Sequence, residues 1–385
     1  MASHLPAASA RHQPISRTAV TGQATVFANL DQLRDAVFVY AGGELAADDL
    51  AWVAGRADGL VMRASNARLI RRLRRQHGYN RPVLLDPACY AAKPEDRRAR
   101  ADRLVSHEDY WLDLQREHHV AAYLSPSPYV RAGNVKQLRR VLDAGREFCA
   151  AAQNGARPAV AFTVVAADRH WLTDLAPTFA AVLGRAETPI ALILADREDP
   201  LGTRASVEGL VRVLASHPHV ALLRTDVAAF GALAHGAVAA AIGTITTLRH
   251  LVPPGSPGYA PIRDKTARVL VGPLLQYIAG STLALYSKDG GLLDCDCEAC
   301  GGASLRRFED EELTVEAHRH NVVTWRRIAD VLRAETPRRR PGEWAAMCRS
   351  ALVMSERLEE QTDYPVDQPT SLRAWADMAG ADVAP

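Results

Sequence analysis

The stretch Ala159-Val160-Ala161-Phe162-Thr163-Val164-Val165 carries no charge and a single polar side chain, Thr163. A strand with one face in water alternates apolar and polar residues. An unbroken apolar run instead reads as a strand buried on both faces, the habit of parallel sheets covered by helices. The pattern recurs. Upstream lie Val37-Phe38-Val39-Tyr40, Leu60-Val61-Met62, Val83-Leu84-Leu85 and Ala121-Ala122-Tyr123-Leu124. Downstream lie Ile190-Ala191-Leu192-Ile193-Leu194, Val220-Ala221-Leu222-Leu223 and Val238-Ala239-Ala240-Ala241-Ile242.

Helix-period segments separate these runs. Ala67 to His77 stops at Gly78, and Val135 to Ala152 stops at Gly155. Ser206 to Ser216 sets Val207, Leu210, Val211 and Leu214 on one stripe. Eight strand–helix repeats in roughly 250 residues describe an α/β protein of the (β/α)8 TIM-barrel class. A doubly wound open sheet is the alternative. No G-x-G-x-x-G turn follows the first strand, which weakens a dinucleotide-binding version of it.

The 385 residues are 48% hydrophobic, enough for a large core, and the formal net charge of +2 argues against a purely electrostatic nucleic-acid binder. Lysine occurs only at Lys93, Lys136, Lys265 and Lys288, which leaves 42 arginines of 46 basic residues. The sequence shows no secretory leader and no apolar run long enough to span a bilayer. A soluble, cytoplasmic, reducing setting is therefore expected, with no membrane partner. Scattered Cys89, Cys149 and Cys348 read as small hydrophobes there.

The other three cysteines are clustered in Asp294-Cys295-Asp296-Cys297-Glu298-Ala299-Cys300. Three thiolates in one small loop suit a tetrahedral zinc that needs one more ligand. His318 and His320 are the candidates, while Asp294, Asp296 and Glu298 match a thiolate-rich site less well. Such a closed Cys3His site is structural, so the expected cofactor is a structural Zn2+. The chain then divides into a loosely ordered segment (1–30), the barrel (31–250), a zinc-binding subdomain with its closing helix (251–335), and a C-terminal helical extension (336–385). Long helices are expected from about Glu311 to Arg333 and from Gly342 to Glu359.

The cysteine loop, followed by His320-Asn321-Val322, resembles the zinc signature of the tRNA-guanine transglycosylase family, in which a histidine in a His-Asn-Leu context completes the site. The resemblance implies His320 as the ligand, with Cys295, Cys297 and Cys300. It implies a (β/α)8 barrel with the zinc subdomain inserted late. The Cys300–His320 interval is shorter than is usual in that family. Its members exchange a guanine in nucleic acid for a 7-deazaguanine. One aspartate attacks the ribose and a second recognises the base and moves protons.

Pro82-Val83-Leu84-Leu85-Asp86-Pro87-Ala88-Cys89-Tyr90 resembles the family motif Pro-Ile-Leu-Thr-Asp-Ser-Gly-Gly-Phe, which implies that Asp86 is the second aspartate. The eighth run has no carboxylate, and Ala240 stands about where the nucleophile would be. The family's Gly-Gly-Leu-x-Val-Gly-Glu motif is missing, and the fourth run ends in Ser125-Pro126-Ser127-Pro128 where a base-reading aspartate is usual. Asp196, Asp226 and Asp168 at other strand ends are the substitutes, each also readable as a helix cap. Arg71, Arg72, Arg74 and Arg75, with Arg338-Arg339-Arg340, offer phosphate contacts or solvated faces. Arg249-His250 is expected at the barrel mouth. Two functions follow. One is a divergent zinc-containing transglycosylase acting on a guanine or 7-deazaguanine base in tRNA or DNA, with Asp86, Asp196 and Asp226 as catalytic candidates. The other is a non-catalytic homologue that binds nucleic acid or serves as the accessory subunit of an active partner, and the expected assembly is a homodimer or a heterodimer with that active subunit.

Overall fold

The computed structural model describes residues 30–91, 108–154, 159–256, 264–286, 291–362 and 364–378. The expected N-terminal lead-in, except Leu30, and the expected helix stop at Gly155 lie outside the described residues.

The apolar runs form parallel strands: β1 (Ala36–Ala41), β2 (Gly59–Arg63), β3 (Val83–Asp86), β4 (Tyr123–Leu124), β5 (Tyr129–Val130), β6 (Ala161–Asp168), β7 (Ile190–Ala195), β8 (Val220–Thr225) and β9 (Ala239–Gly243). Their order is β3-β2-β1-β9-β8-β7-β6-β4, and β5 also pairs with β6. A parallel bridge between Leu84 and Ala122 joins the two ends of that order. The sheet is thus a barrel with eight positions, and the open-sheet alternative is set aside. The fourth position is shared by β4 and β5, split where Pro126 and Pro128 remove ladder donors.

Side chains alternate across the barrel wall. Phe38, Tyr40, Val61, Leu84, Phe162, Val164, Ala191, Ile193, Ala221, Leu223, Ala239 and Ala241 form one buried cluster that fills the interior. Val39, Leu60, Met62, Leu85, Val165, Leu192, Leu222, Ala240 and Ile242 belong to a second cluster that includes helix residues such as Ile70, Leu73, Leu210 and Phe230. Ala240 therefore faces the helix layer and not the barrel interior. Small alanines of β7, β8 and β9 share the interior with Phe38, Tyr40 and Phe162, the mix of small and large side chains that fills an eight-stranded barrel.

The covering helices are α1 (Ala47–Ala54), α2 (Ala67–His77), α3 (Glu108–Glu117), α4 (Val135–Gln153), α5 (Ala176–Leu183), α6 (Arg204–Ser216), α7 (Ala228–Ala234) and the short α8 (Thr246–Arg249). Helix α2 ends at Gly78, whose φ of 61° is the left-handed conformation that glycine adopts without strain. Helix α6 opens with a reciprocal Thr203–Ser206 capping box. After the barrel come an antiparallel hairpin, β10 (Arg268–Val271) with β11 (Gln276–Ala279), and α9 (Gly280–Leu285), α10 (Thr314–Ala334), α11 (Arg340–Thr362) and α12 (Thr370–Asp377). Both long C-terminal helices match the sequence reading to within a few residues. The hairpin was not read, because four-residue strands carry too short a pattern. Among the described residues no helix is long and apolar enough to cross a membrane.

Helix α6 lies directly on the turn after β6. A Cβ built on Gly209 would stand 1.9 Å from the Leu172 carbonyl oxygen, a backbone atom that cannot swing away. Gly209→Ala is expected to lower unfolding free energy by about 1–3 kcal/mol through overpacking, in spite of alanine's better helix propensity. Urea denaturation checks this, and unchanged stability would show that the helix can lift off the turn.

Candidate metal centre and barrel mouth

The metal centre starts with Asn321. Its Oδ1 accepts from the Leu270 amide at 2.7 Å and its Nδ2 donates to the Arg268 carbonyl at 2.9 Å, so α10 is stitched to the edge of β10. That seam fixes the preceding residue. His320 is buried, and its Nε2 lies 2.8 Å from the Leu270 carbonyl. The carbonyl can only accept, so Nε2 carries the proton and the Nδ1 lone pair is left for a ligand.

The cysteine loop closes on that nitrogen. Amides of Cys300 and Gly301 donate to the Cys297 carbonyl at 2.9 and 2.8 Å, and Gly302 donates to the Cys295 carbonyl at 2.9 Å. Gly301 and Gly302 have φ of 60° and 90°, a tight reversal that side chains resist. The Sγ atoms of Cys295, Cys297 and Cys300 end 3.5, 3.6 and 3.4 Å from His320 Nδ1. All four donor atoms lie within 4.8 Å of one another and can hold a metal ion. The Cys295 and Cys300 thiols, with the His320 ring, hold Cys297 well below the usual thiol range, which suits a thiolate ligand. His318 is elsewhere: it is buried and pushed down to about 4 by that burial, then by Arg249. The acidic residues of the loop are tethers. Asp296 pairs with Arg327 at 2.7 Å and Glu298 with Arg56 at 2.6 Å.

Asp86 ends β3 on the C-terminal side of the barrel, as expected, but it is sealed. It has no exposed surface. Tyr40 and Tyr90 both donate to its Oδ2, Tyr90 at 2.5 Å, and the Ala88 amide donates to Oδ1 at 2.8 Å. Burial, then the Asp86 charge, push both phenols above their usual range, so they stay neutral donors. Arg224 completes the cluster, its guanidinium carbon 5.7 Å from each tyrosine ring centroid. It sits in a register shift of β8 at φ 53°, a conformation uncommon for any residue other than glycine. Its Nη2 donates to the Thr247 and His250 carbonyls at 2.7 and 3.2 Å. The segment after β9 is thereby pinned across the barrel end, where Leu251 pairs with Ala195 and the Asp196 amide donates to the Leu251 carbonyl at 2.9 Å.

The other catalytic candidates are not beside Asp86. Asp196 is part-buried, accepts the Glu198 amide at 2.8 Å and pairs with Arg169 at 2.6 Å. Asp168, on the neighbouring strand, accepts from Tyr129 at 2.6 Å and from the His170 amide at 3.0 Å, with His170 Nδ1 at 2.6 Å. Burial raises its pKa, but these hydrogen bonds outweigh burial and hold it below the usual carboxylate range. Asp226 accepts the Ala228 amide at 2.9 Å at the start of α7 and lines a separate cleft with Asp199. Asp86, Asp196 and Asp226 thus do not line one pocket. Capping explains the bonds because each aspartate satisfies an amide two residues on.

The basic features are also partly engaged. Arg71 pairs with Glu117 at 2.6 Å, and Arg74 donates to the His118 and His119 carbonyls. Arg249 is buried against Tyr277, 3.4 Å from the ring centroid, and so faces the β10–β11 hairpin instead of the barrel mouth. Tyr40, Tyr90, Arg224, Tyr129 and Asp199 were missed by sequence reasoning. A strand that closes on arginine, and a tyrosine four residues after Asp86, were the available signals. No protein-family model matches this chain, and no curated protein matches it.

Two outcomes are expected. Purified protein carries one metal ion per chain, lost in Cys297→Ser/Cys300→Ser, and chelation loosens residues 291–323 in hydrogen exchange. Unchanged metal content in the double variant sinks the assignment. Asp86→Ala leaves two buried phenols without their acceptor and the buried Arg224 guanidinium without its nearby countercharge, and is expected to destabilise by about 3–5 kcal/mol. A parent-like denaturation midpoint would contradict that structural role.

Proposed function

We propose that the chain is a divergent relative of the tRNA-guanine transglycosylases, with a structural zinc and a guanine-type base in tRNA or DNA as its target. One observation carries the reading: a closed parallel barrel is joined to a Cys3His cluster that follows the eighth barrel position. Zinc suits the donor set. Zn–S and Zn–N bonds of about 2.3 and 2.0–2.1 Å at tetrahedral angles separate sulfur from nitrogen by about 3.5 Å. The three sulfur–nitrogen distances are 3.5, 3.6 and 3.4 Å. Bound there, zinc supplies a cross-link between the loop and α10, with no open position for chemistry.

Base exchange needs a carboxylate for the sugar carbon and a proton carrier for the departing base. Asp168 and Asp196 are the partly exposed carboxylates on adjacent strand ends, where barrel enzymes place working groups. Arg169 holds the Asp196 charge, and Asp168 orients the His170 ring. Asp86, in this reading, positions the mouth through Tyr40 and Tyr90 instead of touching the base.

The accessory reading is favoured by a specific feature. The interior of β9 carries Ala239 and Ala241, which cannot form a covalent sugar adduct. A labelled-guanine exchange assay on tRNA and on DNA separates the two. An active enzyme exchanges base, and Asp196→Ala lowers the rate by about 10²–10⁴-fold. No exchange, with binding to tRNA or DNA that weakens as salt rises, selects the accessory role. Neither exchange nor salt-dependent binding defeats both.

A further inference from the structure

Residues 67–81 hold six arginines, Arg68, Arg71, Arg72, Arg74, Arg75 and Arg81, and no aspartate or glutamate. Of a formal net charge of +2, these fifteen residues supply +6 and the rest of the chain −4. Positive charge that is small over the whole molecule is gathered on one helix.

The structure sorts these arginines. Helix α2 buries Ala67, Ile70 and Leu73 against the barrel. By the helix period, Arg68, Arg71, Arg72 and Arg75 then share the opposite face. Two of the six brace α2 against α3 and its exit: Arg71 pairs with Glu117, and Arg74 donates to the His118 and His119 carbonyls. Three others on the helix do not. Arg68, Arg72 and Arg75 are exposed, and among the described residues none of them makes an ion pair. Arg72 donates its Nε to Gln76 at 2.7 Å.

Helix stability does not account for this face. Arginines at i, i+3 and i, i+4 repel, and Arg68 stands in the first turn, where the helix dipole disfavours a cation. Elsewhere the protein balances such positions. Helix α6 sets Glu208 four residues after Arg204, and α10 sets Asp330 four residues after Arg326. In α2 the residue four positions after Arg68 is Arg72, and four after Arg71 is Arg75.

We propose that the outer face of α2 docks the sugar–phosphate backbone of a nucleic acid. Arg68 to Arg75 span about 10 Å of helix axis, the length of about three phosphates at 3.4 Å each along one strand. Guanidinium forks match phosphate oxygens in pairs. A bilayer fits less well, because an interfacial helix inserts an apolar face and that of α2 is packed on the barrel. The face follows β2, across the barrel from β6 and β7, which carry Asp168 and Asp196, so it is a contact separate from the exchange residues. The proposal rests on nucleic acid as the partner and names the surface that meets it. Backbone contacts of this kind supply affinity and position, not sequence choice.

Fluorescence anisotropy on the full chain tests this, with a labelled mixed-sequence DNA duplex and labelled unfractionated tRNA titrated at several salt concentrations. Arg68→Gln/Arg72→Gln/Arg75→Gln is expected to weaken binding at least about tenfold and to lower the logarithmic salt slope on the duplex by about 2.7, at about 0.9 per phosphate. The probe that shows the loss identifies DNA or tRNA. Arg139→Gln/Arg146→Gln/Arg185→Gln removes the same charge from another surface, where Asp143 and Glu187 lie among the arginines, and keeps the parent slope. Lysine at positions 68, 72 and 75 also keeps it, since the charge remains. Parent affinity and slope in the α2 glutamine variant overturn the α2 assignment alone. No binding of either probe by the parent chain overturns it together with the nucleic-acid reading. Equal loss in the control variant traces to net charge, and equal loss in the lysine variant traces to the helix itself; either overturns it. So does α2-dependent binding to phosphatidylserine vesicles with nucleic-acid binding intact.

Discussion

A carboxylate with no exposed surface, held by two tyrosines beside an arginine, is the constraint on which the barrel end depends. Asp86, Tyr40, Tyr90 and Arg224 come from β3, β1, the turn after β3, and β8, so one cluster ties three strand ends together. A lone buried charge would cost several kcal/mol, and each partner is needed to offset it. Arg224 also holds the Thr247 and His250 carbonyls, which draws the following segment over the mouth to β7. Closure of the mouth is thus an electrostatic consequence of where Asp86 ends its strand.

The late subdomain rests on a smaller set of bonds with a similar logic. Asn321 supplies one acceptor and one donor to β10, and the adjacent His320 gains its ring orientation from Leu270. The Cys loop is then fixed from outside by Arg56–Glu298 and Arg327–Asp296 pairs. These pairs are exposed and contribute little energy singly, but they hold the loop in register against the barrel and α10. A metal ion at the cluster would join the two faces that they align.

The carboxylates at the strand ends divide by environment. Asp86 is sealed, Asp168 and Asp196 are partly exposed beside Tyr129 and Arg169, and Asp199 with Asp226 shares the side cleft. Identical side chains thus occupy three settings, and burial and neighbours set what each can do.

The sequence by itself determined the barrel class, because a continuous apolar run records burial on both faces wherever it occurs. It determined the cysteine loop as a ligand set, because soft donors at that spacing have few other uses, and it located both long C-terminal helices by their period. It left His318 and His320 open on spacing alone, and only the Asn321 seam, a contact across 51 positions, places His320 on the thiols. It could not show that Ala240 faces helices, since a one-residue step reverses a strand side chain. The grouping of Asp86 with Tyr40 and Arg224, and of Asp226 with Asp199, was likewise decided by tertiary structure. Those partners meet only when the sheet closes on itself and brings β1, β3 and β8 around one axis.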